Sequence, residues 1–274
     1  MDPATIIGLL LAFGSVITMV LIEGGSITSL LLPGPLVLVF GATLAIGLAG
    51  NTLKDVIQAF KSVPAMFMGK TSKPQESIDQ MVRFAEKARA EGLLSLEEEA
   101  ASVKDPFLAR ALQNIADGTD AEDLRMQMED EIDTKSRSDH ASSKFFASLG
   151  GYAPTVGIVG TVVSLTHVLE NLSKPDELGH MIAAAFVATL WGLLSANFIW
   201  LPFSSRLARL SELDIERMTL VMEGMLAVQS GAQPLLLAER LRSMVPEHQL
   251  KSSADKGRKA PGGDDSAEPM DAAA

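Results

Sequence analysis

Two uncharged stretches of the chain carry hydroxyl and small residues at helical spacing. In "GGYAPTVGIVGTVVSLTHVL", every third or fourth position gives Gly150, Pro154, Gly157, Thr161 and Ser164. In the later stretch the same spacing gives Ala185, Thr189, Gly192 and Ala196. Each set falls on one face of a helix. Two chemistries suit such a face. Small residues let membrane helices approach closely, while hydroxyls bond across or back to their own backbone. Alternatively the faces line a path. Thr161 and Thr189 then offer oxygen to a hydrated ion or to a partner's carboxylate. Pro154 would free a backbone carbonyl and form a hinge, and Pro202 would do the same in the later stretch. The bland reading of both prolines is a position near a helix end, where proline costs little. His167 is a candidate titrating relay or an interfacial structural histidine.

The elements that hold these faces are apolar helices. Ala4 to Ile22, Thr28 to Gly50, Phe145 to Leu169 and Met181 to Ser205 contain no Asp, Glu, Lys or Arg. Crossing the hydrocarbon core takes roughly 20 apolar residues, so each run is long enough. Pro33 and Pro35 fall early in the second run, so its continuous helix is expected to begin near Leu36. Basic residues set orientation. Lys54, Lys61, Arg137, Lys144, Arg206 and Arg209 fall on one side if the runs pair as hairpins. The opposite connections, "EGGSI" and "ENLSKPDELG", hold only Lys174 as a base. The sequence therefore predicts an all-α polytopic membrane protein with four transmembrane helices, both termini cytoplasmic, and a helical cytoplasmic domain. Its divisions are 1–50 (first hairpin), 51–144 (cytoplasmic domain), 145–205 (second hairpin), 206–250 (C-terminal cytoplasmic helices) and 251–274, a tail poor in large apolar residues and expected to be disordered.

Within 51–144 the pattern is helical. Ile78, Met81, Val82, Ala85, Ala88 and Arg89 follow i, i+3, i+4 spacing. Gly92 should end that helix. Ser95 should cap the next, with Glu97, Glu98 and Glu99 at its positive end. "DPFLARALQNIADG" reads as a short helix ended by Gly118. From "DAEDLRM" onward, one long helix should run into the third apolar run without a breaker. After the fourth run a helix should continue to about Gln229, where Gly231 and Pro234 break it.

Several function classes are excluded. With no cysteine there is no disulfide or thiolate metal site. A net charge of −11 and 5% aromatic residues argue against nucleic-acid binding. No nucleophile–base pair, phosphate loop or metal spacing suggests an enzyme, and no cofactor is expected. Ion passage through hydrocarbon needs a site that trades hydration for ligands, usually a carboxylate. None of the four runs has one inside. Either no ion moves, or another chain supplies the acid.

The residues Gly150–Leu207 closely resemble the third and fourth spans of the MotA/PomA flagellar stator family, within the MotA/TolQ/ExbB proton channel superfamily. "APTVGIVGTV" followed by "AAFVATLWG" is a specific combination. "KARAEGLLSLEEEA" resembles that family's cytoplasmic torque segment, and "MEDEID" and "VMEGMLAVQSGAQP" its later signatures. The resemblance covers Ile6 to about Pro246. It implies a bacterial inner-membrane subunit of flagellar motility and chemotaxis. Five copies would surround two copies of a single-span, peptidoglycan-anchored MotB/PomB-type partner, which carries the ion-binding Asp. H+ or Na+ would be the transported ion. It further implies that Pro154, Pro202, Thr161 and Thr189 are channel-side positions, and that Arg89 and Glu97 contact the rotor switch protein FliG. Thr161 matches sodium-type members. Thr161 therefore tilts the expectation toward Na+, although proton-driven complexes of the ExbB/TolQ kind also carry threonines. The alternatives are an ExbB/TolQ-type energiser of envelope transport, whose group usually lacks a leading hairpin, and a non-conducting four-span scaffold.

Overall fold

A computed structural model describes residues 4–68 and 73–250; the expectation of a disordered tail at 251–274 lies outside them. The described residues are helical throughout, apart from turns. The chain forms two compact units. One comprises Met1–Ser72 and Thr119–Met222, the other Lys73–Gly118 and Glu223–Ala274.

In the first unit, α1 (Ala4–Ile22) has no buried residue. Its hydroxyls bond back to their own helix, Ser15 to the Leu11 carbonyl at 2.7 Å and Thr18 to the Gly14 carbonyl at 2.7 Å. Such back-bonding satisfies a hydroxyl without a partner helix. Helix α2 (Pro33–Ala49) starts earlier than the expected Leu36. Pro33 takes the first helical turn, where its missing N–H would be unbonded in any case. Val39, Thr43 and Gly47, four residues apart, form its buried face. Gly47 lies against the Leu149 side chain, so even a methyl group there would collide.

Helix α3 (Leu53–Met68) brings Phe60 onto Phe145 and Phe146, with ring centroids 5.7 and 5.8 Å apart. Phe146 in turn stacks on Trp200 and meets Phe203 edge-on. Offset and edge-on aromatic pairs each add about 0.5–1.5 kcal/mol beyond their buried area. Two long helices organise this cluster. Helix α7 runs unbroken from Ala121 to Glu170, 50 residues, as its lack of a breaker predicts. The other begins as α8 (Pro175–Ser195), widens into a π-helical segment at Ala196–Trp200, and continues as α9 (Leu201–Gln229).

Among the described residues, three helical stretches are long and apolar enough to cross a membrane: Ala4–Ile22, Ala121–Glu170 and Pro175–Gln229. Pro33–Ala49 is apolar but shorter, at 17 residues. At 1.5 Å per residue it rises about 26 Å.

The second unit packs α4 (Pro74–Glu91), α5 (Leu96–Ser102), α6 (Pro106–Ala116) and α10 (Pro234–Ser243) around an apolar core; α11 (Glu247–Leu250) follows. Ile78, Met81 and Ala85 are buried as their spacing predicts, with Phe84 beside them. Gly92 ends α4 at a φ of 85°, which glycine adopts without a Cβ penalty. Ser95 does not cap α5. It sits in helical conformation inside a single 3-10 turn, Leu93–Ser95, and its hydroxyl donates to the Gly92 carbonyl at 2.7 Å. The cap that does form is Asp105, whose carboxylate accepts from the Phe107 amide at 3.0 Å, with Pro106 at the first helical position.

Candidate functional site

The two small-residue faces singled out in the sequence meet each other. Helices α7 and α8 touch through Gly157 and Gly192. A Cβ on Gly157 would stand 2.9 Å from the Ala188 carbonyl oxygen and 3.1 Å from Gly192 Cα. On Gly192 it would stand 2.8 Å from the Ala153 carbonyl oxygen. Backbone meets backbone, which is the packing expected of small residues in membranes.

Thr161 and Thr189 sit at the edge of this seam and are half-buried. Their hydroxyl oxygens are in close hydrogen-bond contact. Thr161 Oγ1 also lies 2.9 Å from the Ala185 carbonyl and 3.2 Å from the Gly157 carbonyl. A threonine has one proton and two lone pairs. If Thr161 donates to Ala185, the Thr189 hydroxyl donates to Thr161. The lone pairs of Thr189 then stay open, and Thr161 keeps one. The pair is therefore both a cross-helix bond and a compact patch of oxygen acceptors.

Neither proline lies outside the helical run. Pro154 is inside α7 and half-buried. It lacks the N–H that would bond the Gly150 carbonyl four residues back. Pro202 follows the π-helical segment, in which the Leu201 amide reaches back to the Ala196 carbonyl. That widened turn accommodates the backbone just ahead of the proline ring. The end-of-helix reading of both prolines is thus replaced by a mid-helix one. Pro202 also lines an apolar groove of about 450 Å³ with α1, bordered by Arg206 and Arg209.

Neither apolar stretch of these helices contains an Asp, Glu, Lys or Arg. His167 is exposed at the end of α7, with Nδ1 3.6 Å from Glu170 and Asn171 donating to its carbonyl at 2.9 Å.

Below the apolar stretch, α7 and α9 are joined by polar contacts that sequence reading missed. Lys135 Nζ lies 2.8 Å from Asp139 and 3.2 Å from Asp214. Ser211 donates to Asp139 at 3.1 Å, and Ser143 to the Ser204 carbonyl at 3.1 Å. Burial pulls the Lys135 pKa down, but the Asp139 hydrogen bond and the charges of Asp139 and Asp214 outweigh it. The net value lies above the ordinary 10.5. The four-residue spacing of Lys135, Asp139 and Ser143 was visible in the sequence. Their partners on a distant helix were not.

In the second unit, Arg89 ends α4 and Glu97 opens α5, and both are exposed. Among the described residues neither makes an ion pair. Their neighbours do: Lys87 lies 2.8 Å from Glu99 and 3.4 Å from Glu98. The Glu99 hydrogen bond, against some burial, holds the Lys87 pKa above its ordinary value.

Comparison with known proteins bears on this arrangement. The profile of the MotA/TolQ/ExbB proton channel family matches residues 99–219, and the motility protein A N-terminal profile matches residues 6–92. Motility protein A of Bacillus subtilis is 32% identical over 94% of this chain and 96% of the relative. The chemotaxis protein PomA of Vibrio alginolyticus is 29% identical over 90% of this chain and 96% of the relative. Among solved structures, a chain of the flagellar MotAB stator complex from Bacillus subtilis superposes with a TM-score of 0.84 at 31% identity, covering 91% of this chain and 98% of that one. A chain of C. jejuni MotAB gives 0.86 at 26% identity, covering 90% and 96%.

Proposed function

Because this chain belongs to the motility protein A family and is a flagellar stator subunit, we propose that it forms one wall of an ion conduit whose acid comes from a second chain. The carrying observation is the pair of uncharged faces on α7 and α8. They meet at Thr161 and Thr189, with no carboxylate in either apolar stretch. An ion crossing the hydrocarbon commonly relies on an acidic ligand or relay. A single-span, peptidoglycan-anchored MotB/PomB-type chain supplies it as an Asp, and several copies of this subunit, five in the family's pattern, surround it. Both solved relatives being MotAB structures supports such a partner.

In this reading α2 is the second of four spans, its about 26 Å rise bridged by slight thinning of the bilayer. The protein sits in the bacterial inner membrane with both termini cytoplasmic. H+ or Na+ passes along the half-buried rim at Pro154, Thr161 and Thr189, with Pro202 at the cytoplasmic end. Each unit charge crossing 100 mV releases about 2.3 kcal/mol. Rotation of the surrounding subunits delivers this as torque. Arg89 and Glu97 face the rotor switch protein FliG. Exposed ion pairs are worth roughly 0–1 kcal/mol each, so these contacts form and break readily at every step. An ExbB/TolQ-type energiser is not favoured, because the N-terminal motility profile spans the leading hairpin.

Thr189→Ala and Pro154→Leu should impair swimming while the chain still reaches the membrane. Normal swimming in both would contradict the conduit. Swimming speed against sodium concentration at fixed pH decides the ion: a rise with sodium assigns Na+, a flat response assigns H+.

A further inference from the structure

The turn between α4 and α5 carries two leucines that the second unit's core leaves out. Leu94 is 69% exposed and Leu93 36%, whereas Leu96, two residues on, is fully buried. Gly92 turns the chain sharply with its positive φ, and the 3-10 turn Leu93–Ser95 carries the leucines outward. Arg89 precedes this tip and Glu97 follows it. Both are unpaired among the described residues, while Lys87, Glu98 and Glu99 engage one another. The result is an apolar projection flanked by the Arg89 cation and the Glu97 anion, with the exposed Glu91 carboxylate between Arg89 and the turn.

Those two charges cannot hold a load-bearing contact alone, since exposed ion pairs are weak and screened by salt. They orient an approaching partner and speed its encounter. Burial of a leucine supplies what they lack, because its contribution scales with apolar area removed from water and depends little on salt. A membrane surface is a poor occupant, as Glu97, Glu98 and Glu99 crowd the same edge. A protein pocket fits all three features.

We propose that Leu94 is the apolar anchor of the rotor contact. It seats in an apolar pocket of the rotor protein, flanked by a carboxylate facing Arg89 and a basic side chain facing Glu97. This rests on the reading of the Arg89–Glu97 edge as rotor-facing. Because the side chain lies outside the core, its replacement leaves the fold of the unit intact.

The test uses the full chain purified with its single-span partner, and the purified rotor switch protein. Association is measured at about 0.1 M and about 1 M salt, between which the Debye length falls from ~10 Å to ~3 Å. Leu94→Ser should weaken association about tenfold at both salts, and Leu94→Met should bind like the parent chain. Arg89→Glu should weaken it at the lower salt only. In cells, Leu94→Ser should lower stall torque at unchanged membrane levels. If Leu94→Ser binds normally while Arg89→Glu does not, the anchor is wrong and the rotor-facing edge stands. If neither changes binding or torque, the rotor-facing edge itself is wrong.

Discussion

Replacing Gly192 by alanine tests the seam between α7 and α8 most sharply. The added Cβ would lie 2.8 Å from the Ala153 carbonyl oxygen and 3.0 Å from Gly157 Cα. Both are backbone atoms, so no rotamer change relieves the clash. Non-bonded carbons rest about 3.5–4.0 Å apart, so the helices must separate by roughly 0.5–1 Å. The Thr161 bond to the Ala185 carbonyl, now 2.9 Å, would stretch past the ~3.2 Å limit of a good hydrogen bond. Overpacking costs about 1–3 kcal/mol, and the lost hydrogen bond adds about 0.5–1.5 kcal/mol. The purified complex should lose its fold roughly 5–10 °C earlier, and swimming should slow. Gly151→Ala is the matched control, since a Cβ there meets nothing within 4 Å, and its thermal midpoint should not fall. A Gly192→Ala complex as heat-stable and as motile as the parent would refute the tight seam.

Three further outcomes follow from local geometry. Lys135 has a folded-state pKa above 10.5, so its stabilising contribution is fully present below that pH and disappears as pH rises through the folded value. Heating curves at increasing alkaline pH should therefore converge for the parent and Lys135→Gln, having differed at neutral pH; a constant gap would discount the α7–α9 clasp. Asp105→Ala should cost about 1 kcal/mol through loss of the α6 cap, read as a lower thermal midpoint, whereas Asp105→Asn should cost less. Arg89→Glu should reduce torque and be partly restored by reversing an acidic rotor residue, which swimming speed of the double mutant would reveal.

Much of the frame was legible because long apolar runs and breakers act locally. The absence of Gly or Pro between Ala121 and Ser143 was enough to foresee one unbroken helix into the membrane. Gly92, Gly118 and Gly231 mark turns through their positive φ. Local rules failed where tertiary contacts decide. Ser95 looked like a cap, but Leu96 is drawn fully into the core, and the chain tightens into a 3-10 turn before α5. At Pro202 a hinge and a helix end were both open, and the π-helical segment ahead of it lets the helix continue. Thr161 and Thr189 were legible as residues on small-residue faces. Their meeting was not, because sequence spacing cannot tell which neighbour a face will choose. The Lys135–Asp214 contact was hidden for the same reason.

Ion flux into sealed vesicles, measured with this chain alone, with its single-span partner, and with that partner's membrane Asp changed to Asn, addresses the missing acid directly. Flux should appear only when both intact chains are present. Passage through the chain alone, or undiminished passage with the Asn partner, would contradict a conduit built on borrowed charge.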